Sequence, residues 1–208
     1  MSIEAHALAR RTVELPALAE KRLALDLSAF PDVVLFAPKR HNDARGCFSE
    51  TFSLRHLATL GINDDWVQDN YSLSLEQGVV RGLHLQRPPT AQAKLVRVNR
   101  GAIFDVVLDM RPDSPSFGQH AGVELNARDW TQLYVPEGYA HGFCTLEPDT
   151  EVIYKTSRYY SPADELGILW NDPDLGIAWP VDPAMALLSP KDAVNARFAE
   201  IGPIDWGF

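Results

Sequence analysis

The chain has only two cysteines in 208 residues, Cys47 and Cys144. They stand far apart, with no Cys-x-x-Cys pair and no Cys/His cluster. This disfavours a disulfide framework and a thiolate zinc site and leaves two buried free thiols as the expectation. Long hydrophobic runs are also missing. No stretch approaches the roughly 18 apolar residues of a membrane span, and Met1 to Lys21 mixes acidic and basic residues without the apolar centre of a signal peptide. The expected compartment is the cytoplasm. Basic charge is in deficit, with 19 Lys and Arg against 28 Asp and Glu and a net charge of −9. Nucleic acid and anionic membranes are thereby disfavoured as principal partners. Glycine-rich phosphate loops between a strand and a helix are absent, which disfavours a dinucleotide-binding α/β domain. An anionic small molecule is still compatible if a local basic pocket receives it. Arg45, Arg81, Lys94 and Lys191 are the candidates, because each lies beside a motif rather than in a solvated run of charge.

What the chain does have is 46% hydrophobic residues, enough for a substantial core in a single domain. Residues 1–30 alternate weakly between helix and coil patterns and read as an N-terminal extension to a body spanning 31–208. From Asp32 onward the texture changes to short β-rich runs separated by turn signals. Strands are predicted over 33–36, 46–52, 95–98, 102–109, 122–125, 132–135 and 151–155, with one short helix over 53–60. Many short strands at a spacing of about 8–12 residues predict an all-β fold, a closed sandwich or barrel. The tail after Pro180 is loop-rich. It is expected to fold back on the body with one or two short helices, carrying Ser189-Pro190-Lys191-Asp192.

The most informative stretch is Val80-Arg81-Gly82-Leu83-His84-Leu85-Gln86. Strict alternation puts Val80, Gly82, His84 and Gln86 on one face and Arg81, Leu83 and Leu85 on the other. A histidine so placed is either satisfied by one hydrogen bond in the core or has chemistry to perform, and the strand by itself does not decide. A second motif, Pro136-Glu137-Gly138-Tyr139-Ala140-His141-Gly142-Phe143, is a turn fixed by proline and glycine that delivers His141 onto the start of a strand. It resembles the second half-motif of the cupin superfamily, jelly-roll β-barrels that bind ligands in the barrel mouth. Metal-binding members add His-x-His and a glutamate, whereas here the corresponding stretch is His84-Leu85-Gln86 with a single histidine. A lone pair of imidazoles is a poor metal site, so no metal is expected.

Together the motifs resemble those of the dTDP-4-dehydrorhamnose 3,5-epimerase family of nucleotide-sugar epimerases. The resemblance rests on Asp43-Ala44-Arg45-Gly46-Cys47-Phe48-Ser49-Glu50, Gln68-Asp69-Asn70-Tyr71-Ser72, the two motifs above, Gln92-Ala93-Lys94-Leu95-Val96 and Gly101-Ala102-Ile103-Phe104-Asp105-Val106. It continues through Tyr154-Lys155, Tyr159-Tyr160-Ser161-Pro162, Trp170-Asn171-Asp172-Pro173 and Ser189-Pro190-Lys191-Asp192, in order from about Asp32 to Asp192. It implies a cupin-like jelly-roll barrel and an isomerase that works without a cofactor. The implied substrate is a dTDP-linked 4-keto-6-deoxy sugar, whose C3 and C5 hydrogens lie α to the C4 ketone. The implied product is dTDP-4-dehydro-L-rhamnose, a precursor for surface polysaccharide. Such chemistry needs a base on one face, an acid on the other and a group that holds the enolate oxygen.

By the same resemblance His84 matches the base, Asp192 its paired carboxylate, Tyr154 the proton donor and Lys94 the cation beside the C4 oxygen. Read alone, Tyr154 is a packing residue, Lys94 an exposed edge-strand lysine and Asp192 a helix N-terminal residue. Arg81 and His141 match sugar and diphosphate contacts, and Arg81 suits forked hydrogen bonds to phosphate. Arg45, Glu50, Gln68, Asn70, Glu165 and Lys191 match further ligand contacts, and Tyr160 matches an aromatic that stacks on thymine. Arg45 and Glu50 lie on an early strand that in this family serves the neighbouring subunit's pocket, which implies a homodimer. The open alternatives are an epimerase of C3 or C5 alone on a related sugar, a non-catalytic sugar-nucleotide-binding barrel and a metal-dependent cupin oxygenase.

Overall fold

The computed structural model describes residues 29–207, so residues 1–28 of the extension read at 1–30 lie outside it. In chain order the elements are β1 (Val34–Phe36), β2 (Arg40–Asp43), β3 (Gly46–Ser49), α1 (Leu54–Thr59), β4 (Gln68–Ser74), β5 (Val80–Gln86) and β6 (Lys94–Arg100). They continue with β7 (Ala102–Asp109), β8 (His120–Asn126), β9 (Gln132–Val135), β10 (Tyr139–Thr145), β11 (Thr150–Thr156) and β12 (Glu165–Gly167). Two single-turn 3-10 helices, Asp192–Val194 and Phe198–Glu200, follow in the tail.

The strands form two five-stranded sheets, β1-β9-β6-β11-β4 and β12-β5-β10-β7-β8, with β2 and β3 as a separate ribbon. All strand pairings are antiparallel. The architecture is a jelly roll whose two sheets are not joined into one closed ladder, so of the two forms predicted by strand spacing the hydrogen bonding is that of a sandwich. Consecutive strands β6 and β7 lie in opposite sheets with Gly101 alone between them. Gly101 has φ +77, and a Cβ there would sit 2.3 Å from Thr150 Oγ1, so the corner requires glycine.

Strand β7 explains why the sequence reads as an almost unbroken apolar run. Ile103 and Val107 enter the interior with Val96, Val98, Leu133, Val135 and Val152, while Val106 and Leu108 pack outward against the tail. Both faces are covered, so neither alternates with polar residues. The outer face of the second sheet is roofed by the chain after β12, where Ile168, Ile177, Phe198, Ile201 and Trp206 pack with Leu83, Leu85 and Leu108. The fold-back expected of the tail is therefore present, with its two short helices. The first sheet is covered in part by α1 and the turn after it, through Leu57 and Ile62 against Leu95. Cys144 is buried but Cys47 is exposed, because β3 belongs to a ribbon that, among the described residues, has no sheet over it; the expectation of two buried thiols fails for Cys47.

The alternation predicted for β5 also fails. His84 pairs with His141 on β10, but Phe143 pairs with Arg81, so a register shift falls between them and Gly82 and Leu83 together oppose Gly142. This is a bulge, and one extra residue reverses the parity of the strand. Arg81, His84 and Gln86 consequently face the same cavity, while Val80, Leu83 and Leu85 pack into clusters with residues of the tail. Gly82 permits it with φ +116, where a Cβ would lie 2.7 Å from Gly142 Cα and 2.8 Å from the His141 carbonyl oxygen.

Candidate active site

Between the sheets, the side of β6, β9, β7 and β8 is filled by aliphatic residues. Toward β4, β11 and β5 the lining becomes polar, and a cavity of about 300 Å³ opens. Strand β4 contributes Ser72 to this wall. Its other covered positions, Gln68, Asn70 and Ser74, are polar as well, while Asp69, Tyr71 and Leu73 are exposed.

His84 from β5 and Asp192 from the tail form a close pair in the cavity, with Nε2 to Oδ1 at 2.5 Å. Asp192 is only 3% exposed. Burial works against its ionisation, but hydrogen bonding from His84 and attraction to it outweigh that cost and hold the carboxyl below the usual range. Ser189 Oγ accepts from the Asp192 amide at 3.1 Å and fixes the turn. A neutral ring that gives its Nε2 proton to Asp192 keeps its lone pair on Nδ1.

Opposite, on the first sheet, Tyr154 of β11 lines the same cavity. Burial pushes its phenol above the ordinary value, partly offset by the nearby Arg81 guanidinium. Asn70 Nδ2 donates to the Tyr154 carbonyl at 3.3 Å, and Gln68 Nε2 donates to Asn70 Oδ1 at 2.8 Å. Gln68 Oε1 also accepts from the Tyr160 amide at 3.1 Å. Gln68 and Asn70 thus brace the backbone around the cavity. Lys94 Nζ donates to the His84 carbonyl at 3.2 Å, and burial lowers its pKa to about 8 against the attraction of Asp105 and Glu165.

His141, cross-strand neighbour of His84, holds Asp105 with Nε2 at 2.9 and 3.0 Å from the two carboxylate oxygens. Arg81 is braced by Ser74 Oγ at 3.4 Å and the Leu73 carbonyl at 3.3 Å. At the rim, Glu165 accepts from Tyr160 Oη at 2.5 Å and pairs with Lys191. Burial raises the pKa of Glu165, but these two partners prevail and hold its carboxyl below the ordinary value.

Of the residues singled out from the sequence, Gln68 and Asn70 do not line the cavity but stand behind it, bonded to the backbone of Tyr160 and Tyr154, and Arg45 and Glu50 are not brought to it at all. Both are exposed, and Arg45 pairs with Asp43 at 2.6 Å on the β2–β3 ribbon. The sequence reading also passed over Asp105, Ser72, Gln92 and Phe143. Asp105 had a usable signal, an acidic residue in the middle of an aliphatic strand, while the others carry none that separates them from packing. Among the described residues, no group of three or more His, Cys, Asp or Glu side chains is placed to hold a metal ion. No helix among them is long and apolar enough to cross a membrane. A larger surface hollow of about 550 Å³ lies elsewhere, beside Arg111. That guanidinium is already engaged by Asp32, Asp109 and Tyr139.

Comparison with known proteins identifies the family of the chain. The family model for dTDP-4-dehydrorhamnose 3,5-epimerase matches residues 28–200. The dTDP-4-dehydrorhamnose 3,5-epimerase of Shigella flexneri is 47% identical over 171 residues, covering 82% of this chain and 93% of that protein. A crystal structure of the enzyme of that name from Bacillus anthracis, with TDP and PPi bound, is 46% identical with a TM-score of 0.79 and covers 85% of this chain and 98% of that one. The structure of dTDP-6-deoxy-D-glucose-3,5-epimerase from Legionella pneumophila, in complex with dTDP-4-keto-L-rhamnose, is 40% identical with a TM-score of 0.78 and covers 87% and 94%. With a family match over most of its length and relatives of this identity, the chain belongs to the dTDP-4-dehydrorhamnose 3,5-epimerase family.

Proposed function

We propose that this protein is an isomerase that inverts C3 and C5 of dTDP-4-dehydro-6-deoxy-D-glucose through enolate intermediates, giving dTDP-4-dehydro-L-rhamnose. The observation that carries the reading is the His84–Asp192 pair and Tyr154 lining one cavity from opposite sheets, with Lys94 in the same lining. His84 Nδ1 takes the proton α to the ketone, and Asp192 stabilises the imidazolium that forms. The electron pair moves onto the C4 oxygen, where the Lys94 ammonium receives the charge in a water-poor site. Tyr154 then gives its phenol proton to the same carbon from the opposite face, and the ketone re-forms inverted. A phenol held above its ordinary pKa is fully protonated at neutral pH and available as the donor.

Arg81 is assigned to the diphosphate, His141 to the sugar with Asp105 fixing its ring, and Tyr160 to stacking on thymine. Glu165 and Lys191 are assigned to the nucleotide end. Gln68 and Asn70 lie behind Tyr154 and Tyr160 and are assigned to the same ligand contacts through that wall. The exposed positions of Arg45 and Glu50, outside the cavity of their own chain, fit a homodimer in which the β2–β3 ribbon serves the neighbouring pocket. The same reading places the enzyme in the cytoplasm, on the route to dTDP-L-rhamnose for surface polysaccharide.

The test is incubation with dTDP-4-keto-6-deoxyglucose in D2O without added cofactor, following the sugar H3 and H5 signals by proton NMR. Loss of both signals with inversion is the expected result. Loss of one alone identifies an epimerase of a single carbon, and loss of neither refutes the assignment.

A further inference from the structure

Two apolar residues line the cavity among polar groups such as His84, Lys94, His141, Tyr154 and Arg81. Leu85 packs into the cluster under the tail, whereas Phe143 brings an unsubstituted ring to the cavity from the interior cluster. Phe143 is 5% exposed and is also a member of the interior aliphatic cluster with Val152 and Val107, so it is where the core reaches the site. Its place is fixed by the ladder. On β10 it lies two residues beyond His141 and on the same face, and its cross-strand partner is Arg81, whereas His141 is paired with His84. A diagonal neighbour in such a ladder lies about 7–8 Å away between Cα atoms, within reach of a substituent on a carbon held against the His84 ring.

We infer that Phe143 is a specificity-determining residue that seats the C6 methyl group and so selects 6-deoxy sugars over their 6-hydroxy counterparts. The inference rests on the function proposed above. The methyl is the one wholly apolar protrusion of a 4-keto-6-deoxyhexose, and it is attached to C5, one of the carbons His84 must reach. A hydroxymethyl group in its place would bring a hydroxyl against the ring, where its hydrogen bonds to water are lost without replacement. The flatness of the ring matters as well. Inversion at C5 swings the methyl from one side of the sugar to the other, and a planar surface keeps contact with both epimers where a closed socket would fit only one.

The experiment measures kcat/KM for the 6-deoxy substrate and for the same 4-keto sugar nucleotide carrying CH2OH at C5. Wild type is expected to favour the 6-deoxy sugar by roughly a hundredfold, the scale on which apolar pockets reject an added hydroxyl. Phe143→Ser supplies a hydrogen-bonding partner and is expected to narrow that ratio at least tenfold, chiefly through the 6-hydroxy substrate. Because Phe143 also belongs to the core, Phe143→Tyr, which keeps the ring and adds one hydroxyl, is measured beside it and should narrow the ratio in the same direction. Phe143→Leu should preserve the preference. Equal turnover of both sugars by wild type, or an unchanged ratio in a folded Ser or Tyr variant, overturns the inference. Wild type inactive on the 6-deoxy substrate refutes the proposed function first, and this inference with it.

Discussion

Replacing Asp192 by Asn tests the centre of the mechanism with the smallest change of shape. The side chain is almost fully buried and 2.5 Å from His84 Nε2, and an amide oxygen in the same place still accepts the Nε2 proton. The tautomer with a free Nδ1 is therefore kept, and what disappears is the negative charge opposite the imidazolium. A hydrogen bond to a charged group contributes about 1.5–3 kcal/mol, so removing the charge should slow proton abstraction roughly ten- to a hundred-and-fifty-fold. The assay is exchange of H3 and H5 into D2O, which reads abstraction directly. Inversion should fall by the same factor, because it cannot precede exchange. Urea unfolding of the variant serves as the control, with a midpoint close to wild type expected for an isosteric change at one turn. Exchange within twofold of wild type in a stably folded Asp192→Asn protein would show that His84 does not draw on this carboxylate.

Tyr154→Phe removes the donor but leaves the base, so exchange with solvent should survive better than inversion; equal loss of both by NMR would remove Tyr154 from that role. Lys94, with a pKa lowered to about 8, carries its charge below that pH and loses it above, so kcat should fall as pH rises through about 8. Lys94→Arg, whose guanidinium stays charged, should show no such alkaline limb, and persistence of the limb would assign it to another group. Gly82→Ala must place a Cβ 2.7 Å from Gly142 Cα at a φ of +116. A loss of at least about 2 kcal/mol is expected in urea unfolding, and a stability equal to wild type would contradict the bulge.

The class of fold was legible because it rests on local signals. Strands such as 102–109 and 132–135 declare themselves by composition, and turns by proline and glycine. The pairing of His84 with Asp192 was legible only through the family's motifs, since 108 positions separate them and nothing in their neighbourhoods links them. Sequence period failed at β5 because a bulge is a property of two strands at once. Gly82 is a local hint of it, but the count that places Arg81 beside His84 is set by Gly142 across the ladder. Asp105 stands out as an acidic residue in an aliphatic strand, but its partner is not legible from that strand, because His141 reaches it across the β7–β10 pairing. The exposure of Cys47 follows from β2 and β3 forming a ribbon apart from the two sheets, which no residue within it announces.

The bulge at Gly82 makes β5 a ruler. Arg81 and His84 are three residues apart on one extended strand, so their backbones are separated by at most about 10 Å. That interval is held by covalent geometry rather than by the packing of one sheet on the other. If Arg81 grips the first anionic group of a ligand, the strand itself measures out how far along the molecule the basic nitrogen will act. Breathing of the sandwich would change how tightly the sugar is pressed toward Tyr154, but not which of its carbons is presented to His84.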